Sequence, residues 1–172
     1  MNRLDKFLLS NQLRERVANQ TYLYFLNLIY SVLNLMPGII RNSCFGKMCK
    51  VGHNVFFDYN VYIKFPWLIE IGDNVSINRG VEFYSDYVRK EKIIIGSGVY
   101  IGPHVRFYAA THDTLDLSKH YGKEIKVGNN VWIGAESIIL GGVTIGEKSI
   151  IGAGSLITKD IPPNTVVKQK RD

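Results

Sequence analysis

Four histidines stand in this 172-residue chain, and one of them, His112, has a setting in which an imidazole can act as a base. It ends the segment Phe-Tyr-Ala-Ala-Thr-His, just past the last of a series of regularly spaced apolar residues and at the root of a long polar stretch. With an ordinary pKa of about 6.5, histidine keeps a neutral fraction near pH 7 that can take a proton from a hydroxyl and return it to a leaving group. His53 and His104 fall in short turn-like segments, where exposed structural roles are expected, and His120 lies within the polar stretch. No serine or cysteine adjoins His112, so nothing argues for a covalent intermediate. The two cysteines, Cys44 and Cys49, have no second pair and no flanking histidine, which supports neither a disulfide framework nor a zinc knuckle. Reduced thiols are expected.

The elements that hold His112 are legible as a repeat. From Val51 onward an aliphatic residue or phenylalanine recurs every six positions: Val51, Phe57, Ile63; Ile71, Ile77, Phe83; Ile95, Ile101, Phe107; and Val127, Ile133, Ile139, Ile145, Ile151, Ile157. Glycine often follows directly, as in Ile95-Gly96 and Ile133-Gly134, which predicts tight corners at fixed intervals. A six-residue period fits neither an amphipathic helix nor a two-residue strand alternation, but it does fit short strands joined by corners, three to a coil. The expected fold is an all-β solenoid, a parallel β-helix in which each apolar residue stacks on its counterpart one coil away. Two interruptions, Tyr84–Lys92 and Tyr108–Lys126, are polar, charged and aromatic, and loops leaving a rigid scaffold are where function concentrates.

Residues before Cys44 lack the period. From Val17 to Ile40 no charged residue occurs, and Leu, Ile, Tyr and Phe are dense, which predicts a helix stopped by Pro37-Gly38. Asn19, Asn27 and Asn34 interrupt the apolar character, so a membrane span is not expected. Two readings remain open for this segment: a helix on a membrane surface, flanked by Lys6, Arg14, Arg16 and Arg41, or one packed on the solenoid or a partner subunit. The length suits one domain with a terminal appendage, divided as 1–43 and 44–172. No secretory signal is visible, so a cytoplasmic protein is expected. The net charge of +6 alone does not choose among nucleic acid, anionic lipid and a phosphorylated cofactor.

The successive repeats Val-Gly-Asn-Asn-Val-Trp, Ile-Gly-Ala-Glu-Ser-Ile, Ile-Leu-Gly-Gly-Val-Thr, Ile-Gly-Glu-Lys-Ser-Ile and Ile-Gly-Ala-Gly-Ser-Leu resemble the hexapeptide-repeat acyltransferase family, of the sugar O-acetyltransferase type. The resemblance implies a left-handed β-helix and transfer of an acetyl group from acetyl-CoA to a sugar hydroxyl, with His112 as general base. It assigns Asn78, Asp86 and Trp132 to the acceptor side. It assigns Ala135, Ala153, Gly154, Thr158 and Lys159 to the edge along which coenzyme A lies, with Lys168, Lys170 and Arg171 as further charge for its phosphates. It also implies a homotrimer with sites shared between subunits and no nucleic-acid partner. Together with the apolar N-terminal segment, it suggests a nucleotide- or lipid-linked precursor of a bacterial surface polysaccharide as acceptor, handled at the inner face of the membrane.

Three other readings share the fold, one of them a non-catalytic scaffold whose solenoid only assembles partners. An N-acetyltransferase of an amino-sugar nucleotide would use the same donor on a different acceptor. A zinc hydratase of the γ-carbonic anhydrase type needs histidines from adjacent coils, but His104, His112 and His120 are eight residues apart, which does not match its spacing.

Overall fold

The computed structural model describes residues 3–112 and 120–168, and within them not the side chains of 3–12, 16, 111, 112, 120 and 121. It forms two compact units, Met1–Leu35 and Met36–Asp172. The first is a single helix, α1 (Arg3–Leu35), whose second half is the uncharged run read as helical from Val17 on and whose first half extends it back through the charged stretch 3–16. Among the described residues no helix is long and apolar enough to cross a membrane.

Pro37 ends that helix but also starts another. Proline is well suited to the position before a first turn, where no amide hydrogen is needed, and α2 (Gly38–Met48) follows it directly. This helix spans the junction between the expected segments 1–43 and 44–172, and it caps the solenoid. Arg41 is buried, its Nε and Nη2 donate to the carbonyl oxygen of Phe57 at 3.2 and 3.1 Å, and its guanidinium lies 3.9 Å from the centre of the Tyr59 ring. Phe45 stacks on Phe57 with ring centres 4.5 Å apart. The first coil would otherwise expose its apolar end, so this cover is what a solenoid terminus requires.

The rest is a parallel β-helix with three faces. Face 1 is built from Lys50–Val51, Ile69–Ile71, Ile93–Ile95, Ile125–Val127 and Thr144–Ile145; face 2 from Phe56–Phe57, Ser76–Ile77, Tyr100–Ile101, Trp132–Ile133, Ile150–Ile151 and Val166–Val167; face 3 from Tyr62–Ile63, Glu82–Tyr84, Arg106–Tyr108, Ile138–Leu140 and Leu156–Ile157. Every pairing within a face is parallel and in register, for example Ile77 with Ile101 and Phe83 with Phe107. The six-residue residues are the core: Ile77, Ile101 and Ile133 line face 2 from inside, and Phe83 lies 4.9 Å from Phe107 with the rings nearly parallel. Burying each such side chain contributes roughly 1.5–3 kcal/mol. The step from Ile63 to Ile71 is two residues longer than the repeat, and a 3-10 turn at Pro66–Leu68 takes up the excess.

The glycines after the aliphatic positions serve a different purpose from the one predicted. The left-handed backbone at the corners falls two residues later, at Asn54, Asn74, Asn130 and Gly154 among others. Gly96 is required by close approach instead: a Cβ there would stand 2.7 Å from the carbonyl carbon of Gly128 in the next coil. Adjacent coils meet backbone to backbone at these corners, and a side chain would hold them apart.

Candidate active site

Two corners carry the predicted site residues, and they lie on opposite edges of face 3. At the corner leading from face 3 back to face 1, the interruption after Phe107 is more than a loop. Ala110–His112 pairs antiparallel with His120–Gly122, with His112 directly opposite His120, so His112 ends one arm of a β-hairpin. Its backbone is placed there; its side chain, and that of His120, lie outside the described residues, as do Lys170 and Arg171. Lys123 anchors the hairpin by donating its amide to the carbonyl of Ala109 at 2.9 Å.

Asp86 sits one coil below, at the same corner, and is 4 % exposed. Its backbone bridges to Glu91, and its Oδ1 accepts the amides of Val88 at 2.8 Å and Arg89 at 3.3 Å. This is a local turn in which the carboxylate organises the segment Ser85–Lys92. The other oxygen, Oδ2, is buried and has no hydrogen-bond partner among the described residues. It abuts Gly122 of the hairpin so closely that a Cβ at residue 122 would overlap it. A buried carboxylate oxygen left without a donor is costly, but with Gly122 packed over it this atom can accept a ligand hydroxyl only where the hairpin gives way.

The second group occupies the corner from face 2 to face 3. A cleft of about 410 Å³ runs over it, lined by Gly102, Pro103, Gly134, Ala135, Gly152 and Ala153, with Tyr100, Trp132 and Ile150 along its face 2 side. The small residues stack in register because each occupies the same place in its coil, and Gly154 donates its amide to Ala135 at 2.7 Å. Trp132 is half-exposed and meets Tyr100 edge-on at 6.5 Å. Asn78 belongs to this same corner, one coil before Gly102, and donates from Nδ2 to the carbonyl of Ile101 at 2.7 Å. Thr158 and Lys159 follow the last strand of face 3 and are exposed at the other corner, on the edge that carries Asp86 and the hairpin.

The structure therefore brings Trp132, Ala135 and Ala153 into one cleft with Asn78 below it, and Asp86 to the hairpin of His112. It does not bring Asn78 to Asp86 within one chain. Gly122, Tyr100 and Pro103 were not singled out from the sequence. Tyr100 is in register with Trp132, so counting coils finds it; Gly122 lies inside the interruption, where the repeat offers no register.

Comparison with known proteins bears on this arrangement. Residues 124–159 match the bacterial transferase hexapeptide model of six repeats. The galactoside O-acetyltransferase of Escherichia coli (strain K12) is 40% identical over 131 residues, covering 73% of this chain and 63% of the relative. The solved galactoside acetyltransferase in complex with coenzyme A is 36% identical, with a TM-score of 0.70, over 89% of this chain and 75% of that one. A hexapeptide-repeat acetyltransferase from Vibrio cholerae solved with acetyl coenzyme A is 28% identical, with a TM-score of 0.76, over 88% and 82% of the two chains. The chain belongs to the hexapeptide-repeat acetyltransferases, with relatives of the sugar O-acetyltransferase type, and its coils form the left-handed β-helix of that family. Its match spans a little under two thirds of the length of the curated E. coli relative.

Proposed function

We propose that this protein is an acetyl-CoA-dependent O-acetyltransferase acting on a sugar hydroxyl. The observation that carries this reading is the buried, unpartnered Oδ2 of Asp86 fitted against Gly122, in a hairpin whose other arm ends at His112. In the reaction, the His112 imidazole takes the proton of a sugar hydroxyl as its oxygen attacks the thioester carbonyl carbon. The tetrahedral adduct then collapses, breaking the C–S bond, and the proton passes to the departing thiolate. Asp86 fixes the acceptor by accepting a neighbouring hydroxyl once Gly122 gives way over Oδ2, and the amide oxygen of the half-buried Asn78 adds a second contact. With no serine or cysteine adjoining His112 in the sequence, transfer is direct within a ternary complex.

The small-residue cleft suits an extended thioester arm, since Gly134, Ala135, Gly152 and Ala153 leave the coil backbone accessible to it, and Trp132 bounds it. Gly154 belongs to the same edge. Thr158 and Lys159 lie across face 3 from Ala135 and Ala153, and this separation supports a site assembled by two copies. In a cyclic homotrimer the cleft of one subunit faces the hairpin of the next, Asn78 meets the neighbour's acceptor corner, and Lys159 and Lys168 supply charge to the phosphates. The donor is an intracellular thioester, which places the reaction in the cytoplasm. A precursor of a surface polysaccharide is the acceptor we favour, with helix α1 holding the solenoid unit near the membrane where the precursor is lipid-linked.

The test is thiol release from acetyl-CoA across a panel of sugars and nucleotide sugars, with His112→Ala as control. Of the protein's two thiols, Cys49 contributes little background, since burial pushes it up to about 12, while the half-buried Cys44 is subtracted with a control lacking acetyl-CoA. Acceptor-dependent release that disappears in a folded H112A protein is expected. Absence of both release and coenzyme A binding overturns the reading in favour of a non-catalytic scaffold.

A further inference from the structure

Beside the acceptor corner lies an aromatic patch that the reaction above does not use. Phe65 is nearly buried, at 7 % exposure, and forms a base against which Trp67 and Tyr87 stand at 53 % and 58 % exposure. Ring centres are 5.7 Å apart for Phe65 and Trp67 and 5.4 Å for Phe65 and Tyr87. Trp67 and Tyr87 are 6.4 Å apart and nearly perpendicular, at 86°, so that one offers a face and the other a wall. Lys64 Nζ stands 5.4 Å from the Phe65 ring centre.

The core has no need of these two rings. Face 3 is filled from inside by Ile63, Phe83, Phe107, Ile139 and Ile157. The corner after Ile63 instead places Trp67 on the coil directly below Tyr87, and Ser85 ties the two levels by donating from Oγ to the carbonyl of Phe65 at 3.4 Å. Tyr87 follows Asp86 in the chain and lies inside the turn whose amides, Val88 and Arg89, bind Oδ1 of that carboxylate. The hairpin, Asp86 and the Trp67 level therefore step down one corner of the solenoid through three successive coils.

Resting on the acetyltransfer reading, we propose that Trp67 and Tyr87 form a second sugar subsite, so that the acceptor is a glycoside of at least two rings. The C–H-rich face of a pyranose carries partial positive charge and sits well on the electron-rich face of an aromatic ring. Binding sites for small molecules pair such apolar and aromatic walls with a few placed polar groups, as Asp86 provides here. A distant ring held on Trp67 orients the reacting ring over Asp86, which is how binding energy from a non-reacting part of a substrate is put to use.

The experiment compares wild type with Trp67→Ala, Trp67→Phe and Tyr87→Phe, using maltose, lactose and chitobiose against glucose, galactose and N-acetylglucosamine. The expected result is a rise of about tenfold in KM for at least one disaccharide in W67A, largely rescued by W67F, with the matching monosaccharide and acetyl-CoA unaffected. Binding is read independently of turnover. The chain has two tryptophans, so a Trp132→Phe protein leaves Trp67 as the only indole, and a disaccharide should quench its fluorescence where the monosaccharide does not. Quenching without any acetyl transfer retains the subsite and removes the transferase reading. Transfer to disaccharides with unchanged KM in W67A, and no quenching, overturns the subsite alone. Quenching by a nucleoside diphosphate in place of any disaccharide, or a changed oligomeric state in W67A, also overturns it, in favour of a base-stacking or subunit-contact role.

Discussion

The carboxyl group of Asp86 occupies the space that a side chain on Gly122 would need. A Cβ built at residue 122 falls on Asp86 Oδ2 and stands 2.6 Å from both its Cβ and its Cγ, so the turn of one coil and the hairpin of the next are fitted through these two residues. The hairpin register then carries the relationship to His112, since Gly122 pairs with Ala110 two residues before it.

From this contact follows a prediction for Gly122→Ala. The methyl group must displace either the carboxylate or the hairpin, an overpacking that costs about 1–3 kcal/mol. The expected outcome is a folded protein with a lower Tm and acetyl transfer reduced by tenfold or more, because Asp86 and His112 lose their relative placement. Asp86→Asn keeps the shape and should retain Tm more closely than G122A while raising acceptor KM. Calorimetry and acceptor titrations on the two variants check this.

Close approach of the coils predicts a stability effect far from the site. At Gly96 an alanine Cβ would lie 2.7 Å and 2.8 Å from the carbonyl carbon and oxygen of Gly128, and neither backbone atom can turn aside. Gly96→Ala should lower Tm by roughly 5 °C or more. If the glycine were there only for its dihedral freedom, the substitution would be harmless, since Gly96 is not among the left-handed residues.

Tyr84 gives a prediction in pH. Burial raises its phenol first, and the charge and hydrogen bond of Glu82 raise it further, with the Tyr84 hydroxyl donating to Glu82 Oε2 at 3.0 Å. The fold thus favours the neutral phenol. Its contribution to stability is complete below the unfolded value of about 10 and is lost as pH rises above that toward the folded value. A difference titration of tyrosinate absorbance between wild type and Tyr84→Phe should show ionisation well above the usual range. In Glu82→Gln the midpoint should fall but stay elevated, because burial remains.

Much of this fold is legible in the sequence, and the reason is the short period. Ile77, Ile101, Ile133 and Ile151 recur at the positions where each coil turns its side chain inward, and all four are buried. The hairpin of His112 was not legible: Ala110–His112 and His120–Gly122 are three residues each, too short for a strand period to show. Pro37-Gly38 reads as a helix stop and is one, yet the same proline begins α2, and only tertiary contacts such as Arg41 with Phe57 decide that the chain turns helical again. The separation of Asn78 from Asp86 could have been counted. Asn78 directly follows an inward residue of face 2 and Asp86 comes after one of face 3, which places them on different corners. What the count lacks is the second copy that would reunite them.

That separation leads to the most direct test of the account, which holds that transfer occurs between the donor cleft of one subunit and the acceptor corner of the next. Ala153→Trp fills the cleft, and His112→Ala removes the base; each homotrimer should be inactive. Co-expressed in equal amounts, the two chains should recover acceptor-dependent thiol release at about a quarter of the wild-type rate per chain, the fraction of sites that draw both intact edges. Mixed assemblies that form but show no recovery would place both edges of the site in one chain and contradict the account.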